Sequence, residues 1–209
     1  MYTASLRETG PHLIGIAGPS GAGKSELANR LAAALEAPIV SLDSYYRDLA
    51  HLRLEERARQ NFDHPDALDE ELLAAHLRLL AQGGEVAVPV YDFTRHARSA
   101  ETRRLRPTGF VIVEGLFALY WERVRSLLHS KVFVFAEDEV CLARRLERDV
   151  RERARTPESV IEQYTTTVRP MAVRYILPTR EFADVVLSGT GRIDDSVAAV
   201  LRRVRRATP

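Results

Sequence analysis

The amino-acid sequence predicts an α/β fold in which a doubly wound, mostly parallel sheet carries helices on both faces. Short apolar runs alternate with segments whose apolar residues recur at helical spacing, and a glycine-rich turn joins the first such pair. Two later runs are apolar without interruption, as in strands buried on both faces of a parallel sheet. One domain over residues 1–209 accommodates these elements, together with a projecting β-hairpin and an arginine-rich helical lid at about residues 138–157.

The composition is that of a soluble globular protein and argues against several other classes. Of 209 residues, 45% are hydrophobic and 28% are charged, and the formal net charge of +1 argues against a polyanion-binding surface. Cys141 is the only cysteine, so no internal disulfide can form and a reducing compartment is expected. The N-terminal residues lack the order of a signal peptide and no apolar run is long enough to cross a bilayer, so a cytoplasmic protein without membrane or nucleic-acid partners is expected.

The first half of the chain predicts two strands, each followed by a helix. The first strand stops at Gly18, and the second ends at Asp43. The glycine pair at 83–84 follows the last periodic residue of the second helix and ends it. The predicted elements are a strand at 12–17, a helix at 25–35, a strand at 38–42 and a helix at 69–82.

The second half predicts the hairpin and the rest of the sheet. Residues 85–91 alternate polar and apolar side chains before a charged, arginine-rich segment, which favours a hairpin outside the main sheet. Because strands alternate with helices, the functional site is expected at the carboxyl ends of the strands. The remaining predicted elements are strands at 110–113, 131–135 and 183–187, and helices at 138–155, 158–175 and 193–206.

The turn between the first strand and helix fits the phosphate-binding pattern G-x-x-x-x-G-K-S/T. Backbone N–H groups and the helix N-terminus would face the phosphates, Lys24 would reach the β- and γ-phosphates, and Ser25 would bind Mg²⁺. A plain glycine-rich turn would not explain this lysine, one of two in a chain with 28 arginines. The loop predicts ATP or GTP binding and a P-loop NTPase-type sheet, but it serves kinases, GTPases and transport motors alike. Its residues are Gly18, Pro19, Ser20, Gly21, Ala22, Gly23, Lys24 and Ser25.

Two carboxylates end predicted strands next to this loop. Asp43 ends the second strand, where a phosphoryl transferase needs a group that orients and deprotonates the acceptor hydroxyl, and Tyr46 is a candidate wall of the acceptor pocket. Glu114 ends the run 110–113, as do strand-end carboxylates that hold Mg²⁺. A turn aspartate and an ordinary strand-terminus charge are the alternatives that position alone leaves open.

The predicted lid helix is crowded with arginines. Four of them share one helix face by their spacing, which like charges would avoid unless an anion or carboxylates lay opposite. An arginine-bearing lid can stabilise charge on a transferring phosphoryl group, whereas charge runs are more often solvated helix faces. The four are Arg144, Arg148, Arg151 and Arg155, and Arg145 and Arg153 lie beside them.

Motifs along nearly the whole chain, from about residue 12 to residue 190, resemble those of the uridine kinases, or uridine-cytidine kinases, in the same order. The loop alone is unspecific, whereas the ordered set is highly specific. The resemblance implies an ATP-dependent kinase that phosphorylates the 5′-hydroxyl of uridine or cytidine, giving UMP or CMP in pyrimidine salvage, and a homotetramer. The segments are 18–25, 43–46, 61–66, 89–93, His96 with Arg98, 113–115, 144–153, 163–164 and 183–185.

The resemblance also implies a role for each matching residue. Asp43 would be the catalytic base near Mg²⁺, with Ser25 and Glu114 completing the protein's share of the metal site. Lys24, Arg148 and Arg153 would act on the phosphates, the last two from the lid. The implied nucleoside contacts are Asp63 and Arg145 at the ribose hydroxyls, Tyr91 and His96 at the base edge, Phe62 and Phe93 as walls, and Arg155 and Gln163 completing the pocket.

The residues themselves support part of this assignment. A neutral imidazole donates or accepts according to its tautomer, so His96 suits both the O4 of uridine and the N4 amine of cytidine. Ala154 departs from the family, which usually has glycine in the lid at that point, so lid opening is expected to be altered. The remaining alternatives are a phosphoribulokinase-like or pantothenate kinase-like enzyme, a nucleotide-dependent switch, and nucleic-acid binding through arginines of the last helix.

Overall fold

The computed structural model describes residues 10–153 and 155–207 and contains a five-stranded parallel sheet. The central strand β1 pairs with β5 on one side and β6 on the other, and β2 and β7 lie at the edges. Every pairing in this sheet is parallel, so the carboxyl ends of the strands meet at one edge. The strands are β1 (His12–Ala17), β2 (Ile39–Ser41), β5 (Phe110–Glu114), β6 (Ser130–Phe135) and β7 (Val185–Ser188).

Helices cover both faces of the sheet because its strands are apolar on both sides. Leu13 and Ala17 of β1 pack into one hydrophobic cluster, and Ile14 and Ile16 pack into the other. The third helix packs on the first face, while the first and last helices pack on the second. The helices are α1 (Lys24–Leu35), α2 (Leu54–Ala58), α3 (Glu70–Ala81), α4 (Glu122–Arg125), α5 (Asp138–Arg153), α6 (Pro157–Gln163), α7 (Arg169–Met171) and α8 (Ile193–Ala207).

The predicted hairpin forms a separate two-stranded antiparallel sheet. Its strands are β3 (Val86–Asp92) and β4 (Ala97–Leu105), and the register shifts between Pro89 and Tyr91. Such a bulge bends a strand and re-aims its side chains. Beyond the shift, side chains of the end of β3 and of the connecting loop 93–96 line a cavity together with residues at the carboxyl edge of the main sheet.

The sequence-based prediction of a doubly wound α/β fold is confirmed, with local differences. The strand predicted at 38–42 is shorter, because Leu42–Tyr45 turns as a 3₁₀ helix. The helix predicted at 158–175 is interrupted by π-helical turns at Tyr164–Val168 and Ala172–Ile176. Pro170 lies between those turns and has no N–H for an α-helical hydrogen bond, which favours the wider turns. None of the helices in the described ranges has the length and apolar character that a membrane span requires.

A histidine at the amino edge of the sheet makes stability depend on pH. Burial lowers the pKa of His12 from 6.5 to about 4, with further lowering by His129 and Arg203. Its Nε2 lies 2.9 Å from the Ser130 Oγ. Between these two pH values His12 binds a proton in the unfolded chain but not in the folded chain. The free energy of unfolding should therefore fall as pH drops from about 6.5 to about 4.

Urea unfolding of the wild type and of His12→Phe at pH 7 and pH 5 checks this expectation. The variant should lose less stability between the two pH values, because it lacks the proton-binding difference at position 12. Part of the loss should remain, since burial also lowers the pKa of His76 and of His129. An equal loss in the two proteins would contradict the assignment to His12.

Candidate active site

The phosphate-binding loop lies between β1 and α1, as the motif requires. Gly18, Gly21 and Gly23 have φ values of +145°, +82° and +104°, in the region where glycine is favoured. A Cβ on Gly21 would lie 2.4 Å from the carbonyl oxygen of Cys141, so this position also has no room for a side chain. Helix α1 begins at Lys24, with Gly23 as its N-cap, and its first N–H groups face the loop.

Lys24 is almost completely buried, at 7% exposed, inside the loop. Its Nζ donates a hydrogen bond to the carbonyl oxygen of Pro19 at 3.0 Å. Burial lowers the pKa of Lys24, while the negative charges of Glu114 and Asp43 oppose that shift. An anion bound in the loop would favour the charged ammonium further.

The two strand-end carboxylates lie on neighbouring strands. Asp43 follows β2 in the 3₁₀ turn and Glu114 ends β5, where it pairs with Ser41 in the parallel register. A Cβ on Gly115 would lie 2.5 Å from the Cβ of Leu42, so a glycine after Glu114 lets the turn bearing Asp43 pack closely. Burial and the negative charge of Asp43 raise the pKa of Glu114, against the opposing effect of Lys24. Ser25 Oγ donates to Glu114 Oε1 at 3.4 Å.

A cavity of about 820 Å³ opens beside these groups and collects most of the predicted site residues. Gly18, Pro19 and Ala22 contribute to the loop but not to the cavity lining. Ala154 and the side chain of Arg153 lie outside what the structure describes. The predicted residues that line the cavity are Ser20, Gly21, Gly23, Lys24, Ser25, Asp43, Tyr46, Phe62, Asp63, Tyr91, Phe93, His96, Glu114, Arg145, Arg148, Arg155 and Gln163.

One end of the cavity is aromatic. Tyr46 meets Phe62 edge-on at 5.5 Å between ring centroids, and Tyr91 meets Phe93 in the same way at 5.2 Å. The Tyr46 hydroxyl donates to the carbonyl oxygen of Phe62 at 3.2 Å. The Tyr91 hydroxyl is buried and, among the described residues, has no hydrogen-bond partner. Burial and the negative charge of Asp48 raise its pKa to about 12, so this hydroxyl is protonated at neutral pH.

His96 lies at the same end, on the hairpin loop. Its backbone is left-handed, with φ of +47°, a conformation that histidine adopts more readily than most residues. Its ring stacks on Phe62, with centroids 4.9 Å apart and planes 18° from parallel. The hairpin is joined to the Asp43 turn by Arg98, which donates to the carbonyl oxygens of Tyr46 at 2.8 Å and of Tyr45 at 3.2 Å.

The polar end of the cavity lies between the loop and the arginine-rich helix. Arg145, 6% exposed, donates to Ser20 Oγ at 3.1 Å and to Gln163 Oε1 at 3.0 Å. Gln163 Oε1 also accepts from Arg155. Asp63 is 6% exposed, and burial raises its pKa, with Arg145 opposing and Asp43 adding to the shift. The buried carboxyl group of Asp63 and the guanidinium of Arg145 therefore interact electrostatically at this end of the cavity.

Asp149, for which no role was predicted, organises the arginines. Asp149 is completely buried, and its Oδ1 accepts from Arg148 at 2.9 Å. Its Oδ2 lies 3.5 Å from Arg145 Nε and 3.8 Å from Arg155 Nη1. Its position four residues after Arg145 was a signal for an ion pair along the helix. This carboxylate compensates the repulsion among three guanidinium groups.

The predicted arginine face is only partly present at the cavity. Arg151 is exposed and pairs with Glu147 at 3.3 Å, so it belongs to the solvated side of α5. Arg144, the first residue of that predicted face, does line the cavity, and it donates to the carbonyl oxygen of Gly21 at 3.2 Å. Thr94, which was not predicted, lines the cavity from the hairpin loop. A smaller cavity of about 340 Å³ shares Gly23 and Arg144 and continues between α1 and the end of β7.

A P-loop at the carboxyl edge of a parallel sheet, facing strand-end carboxylates and arginines across a cavity, defines an ATP-dependent phosphotransferase of the P-loop kinase class. The model of the phosphoribulokinase / uridine kinase family matches residues 13–194, and this chain belongs to that family. It is 44% identical over 200 residues to a uridine kinase of Chloroflexus aggregans, covering 94% of this chain and 96% of that protein.

A second relative is similar in sequence, and a solved structure is similar in fold. A uridine kinase of Vibrio cholerae is 42% identical over 187 residues, covering 86% of this chain and 88% of that protein. A phosphoribulokinase structure from Rhodobacter spheroides shares the fold, with a TM-score of 0.58 at 15% identity, covering 88% of this chain and 73% of that one.

Proposed function

We propose that this protein is a uridine and cytidine kinase that transfers the γ-phosphate of ATP to the 5′-hydroxyl of the nucleoside. The observation that carries the proposal is the Tyr91 hydroxyl, which is buried without a partner among the described residues and belongs to a side chain that lines the same aromatic cavity as His96. A buried polar group in such a place favours a ligand that hydrogen-bonds to it. Uridine, the substrate in the name of the uridine kinases to which this chain is similar, has polar groups that can form such a hydrogen bond.

In the proposed reaction, the 5′-oxygen of the nucleoside attacks the γ-phosphorus of ATP. The bond from that phosphorus to the β,γ-bridging oxygen breaks, ADP leaves, and the hydroxyl proton passes to Asp43. Lys24 stabilises charge on the β- and γ-phosphates from within the loop. Arg148 and Arg153, from the predicted lid, would act on the transferred phosphoryl group.

The oxygen donors around Ser25 fit Mg²⁺. Ser25 Oγ and a carboxylate oxygen of Glu114 lie 3.4 Å apart, and burial raises the pKa of Glu114, so a cation would stabilise its charged form. In the described ranges no group of three or more His, Cys, Asp or Glu residues could hold a metal by itself, which agrees with an ion shared with the nucleotide phosphates. Ser25, Asp43 and Glu114 would hold the ion, which would neutralise phosphate charge.

The nucleoside would lie across the cavity from its polar end to its aromatic end. Asp63 and Arg145 would satisfy the ribose hydroxyls, since a carboxylate accepts and a guanidinium donates. Arg155 and Gln163 would complete the polar side, and Tyr46, Phe62 and Phe93 would wall the base. Selection for ribose over deoxyribose would follow, because loss of the 2′-hydroxyl leaves a buried polar group unpaired.

A phosphoribulokinase-like or pantothenate kinase-like activity is the alternative. A sugar phosphate needs a second anion site at the far end of the cavity, whereas that end is aromatic in the described lining. Smaller expectations follow from the resemblance to uridine kinases, namely a homotetramer in solution and a cytoplasmic location. Sedimentation of the purified protein measures the first.

The proposal is tested by measuring ADP release with Mg-ATP and a panel of acceptors. Uridine, cytidine, deoxycytidine, adenosine, ribulose 5-phosphate and pantothenate are offered in parallel to the same enzyme preparation. Turnover confined to uridine or cytidine is expected. Turnover with ribulose 5-phosphate or pantothenate would instead support the alternative activity, and turnover with none of the six would overturn the proposed acceptor class.

His96→Asp should separate the two nucleosides. Aspartate tolerates the left-handed backbone of this position but only accepts hydrogen bonds, so it suits the N4 amine of cytidine and opposes the O4 of uridine. We expect the ratio of kcat/KM for cytidine over that for uridine to rise by about tenfold, the value of one mispaired polar contact. His96→Asn, which both donates and accepts, is the matched control. Equal losses on the two nucleosides in His96→Asp would remove His96 from base recognition.

A further inference from the structure

The segment that precedes Phe62 is rich in arginine, and one of its arginines differs from the rest by its contacts. Arg57, on α2, is partly buried and donates three hydrogen bonds to carbonyl oxygens. Two of them hold its own segment, at 2.8 Å to Leu52 and 2.8 Å to Ala50. The third crosses to the hairpin and reaches Arg95 at 3.1 Å. A planar guanidinium with five donors suits such a junction, whereas an ammonium does not.

The third hydrogen bond ends on Arg95, within loop 93–96 of the hairpin. Arg95 immediately precedes His96, whose left-handed backbone has a φ of +47°. Inside the loop, Asp92 Oδ1 accepts from the backbone N–H groups of Thr94 and Arg95, at 2.8 Å and 3.2 Å. The loop is thus closed on itself by Asp92 and tied to α2 by Arg57.

The chain segment that contains Arg57 also leads to Phe62. That residue follows Arg57 by five positions along the chain. Phe62 and His96 form the stacked pair, 4.9 Å between centroids. Arg57 therefore joins the two chain segments that present the two stacked rings, without itself lining the cavity.

Other contacts tie the root of the hairpin rather than its loop. Asp48 Oδ1 accepts from the backbone N–H of Arg98 at 3.3 Å. The Arg98 guanidinium donates to the carbonyl oxygens of Tyr45 and Tyr46, which follow Asp43. These contacts fix β4, while the Arg57 bridge and the Phe62–His96 stack join loop 93–96 to the Phe62 segment.

We propose that Arg57 is a positioning residue for base recognition, which holds the Phe62 segment and the His96 loop in the relative position that places both rings at the proposed base site. The proposal rests on the proposed nucleoside kinase function and adds a residue to it. Arg57 would act on the binding of the nucleoside and leave the ATP site and the phosphoryl transfer step unchanged.

Steady-state kinetics of Arg57→Met and Arg57→Lys test the proposal. Loss of one charged hydrogen bond at the loop should raise KM for uridine by about tenfold. The value of kcat and the KM for ATP should stay within about twofold of the wild type, the scatter expected where no contact is lost. Arg59→Met, an exposed arginine on the same segment, is the matched control and should behave as the wild type.

A double-mutant cycle with His96→Gly separates positioning from general stability. Glycine tolerates the backbone of position 96 and removes the ring. If Arg57 acts through His96, Arg57→Met should change KM for uridine by less than about twofold in that background. An equal KM increase in both backgrounds, or no KM increase in soluble, folded Arg57→Lys and Arg57→Met, would overturn the role of Arg57. A wild type that does not phosphorylate uridine or cytidine at all would instead overturn the proposed function, and this inference with it.

Discussion

Asp43→Asn is expected to lower kcat by about 10²- to 10⁴-fold while binding of ATP and of the nucleoside stays close to normal. The amide has nearly the shape of the carboxylate but cannot accept the proton of the attacking hydroxyl. Asp43 lies in the turn after β2, and its charge acts on the pKa values of Lys24, Asp63 and Glu114. It is thus close to the phosphate loop, the proposed ribose site and the proposed metal site at once.

Single-turnover kinetics with uridine and calorimetric titration of each substrate measure the two halves of this prediction. Asp66→Asn is the control, because Asp66 carries an exposed side chain near the same site. Near-normal turnover in Asp43→Asn would remove Asp43 from proton transfer. A large loss of nucleoside affinity, with chemistry intact, would assign Asp43 to binding.

Asp149→Asn is the second change for which a large effect is expected. The substitution leaves Arg145, Arg148 and Arg155 without the buried carboxylate that they share. Breaking a buried ion pair costs about 3–5 kcal/mol, and the lower value applies here because Arg148 and Arg155 are partly exposed and can be hydrated. We also expect kcat/KM for uridine to fall on the order of 10²-fold, as for other small misplacements of substrate-contacting groups.

Urea unfolding and steady-state kinetics of Asp149→Asn measure these two effects. Glu147→Gln on the same helix is the control, because the exposed pair of Glu147 with Arg151 is worth less than about 1 kcal/mol. A variant with normal kinetics but reduced stability would show that Asp149 supports the fold without positioning the arginines for function.

Much of the fold follows from the sequence, because its signals are local. The uninterrupted apolar run 110–113 requires two covered faces, and glycines with positive φ follow the first strand. The π-helical turns around Pro170 were not predicted, since periodicity alone does not distinguish an α-helical run from one that is locally widened. The early end of β2 was not predicted either; there Leu42 packs closely on Gly115, a contact between distant parts of the chain that no local pattern shows.

The candidate site also contains residues that the sequence predicts and residues that it does not. The predicted residues from Ser20 to Gln163 line one cavity, because each lies on the phosphate loop, a strand end, the turn at 61–64, the hairpin or the helical segment from α5 to α6. Asp149 and Arg57 were not predicted as part of the site, because each acts through other residues rather than on the cavity. The partner of Arg57 on the hairpin lies on a segment whose packing no spacing rule specifies, whereas the i,i+4 spacing of Arg145 and Asp149 was a usable signal.

In the proposed nucleoside site, the contact between the stacked rings of Phe62 and His96 would compete with stacking of the base on either ring. An incoming nucleobase can reach the facing surfaces of these rings only by replacing the contact that they already make with each other. The net free energy of stacking is then the difference between the contact that the base makes with these rings and the contact that they make with each other. A larger purine ring would therefore gain little affinity from its stronger stacking. Selectivity between bases is a difference of affinities, so it falls to the polar groups at the base edge. Base selectivity in the proposed site should therefore depend on hydrogen bonds more than on stacking area.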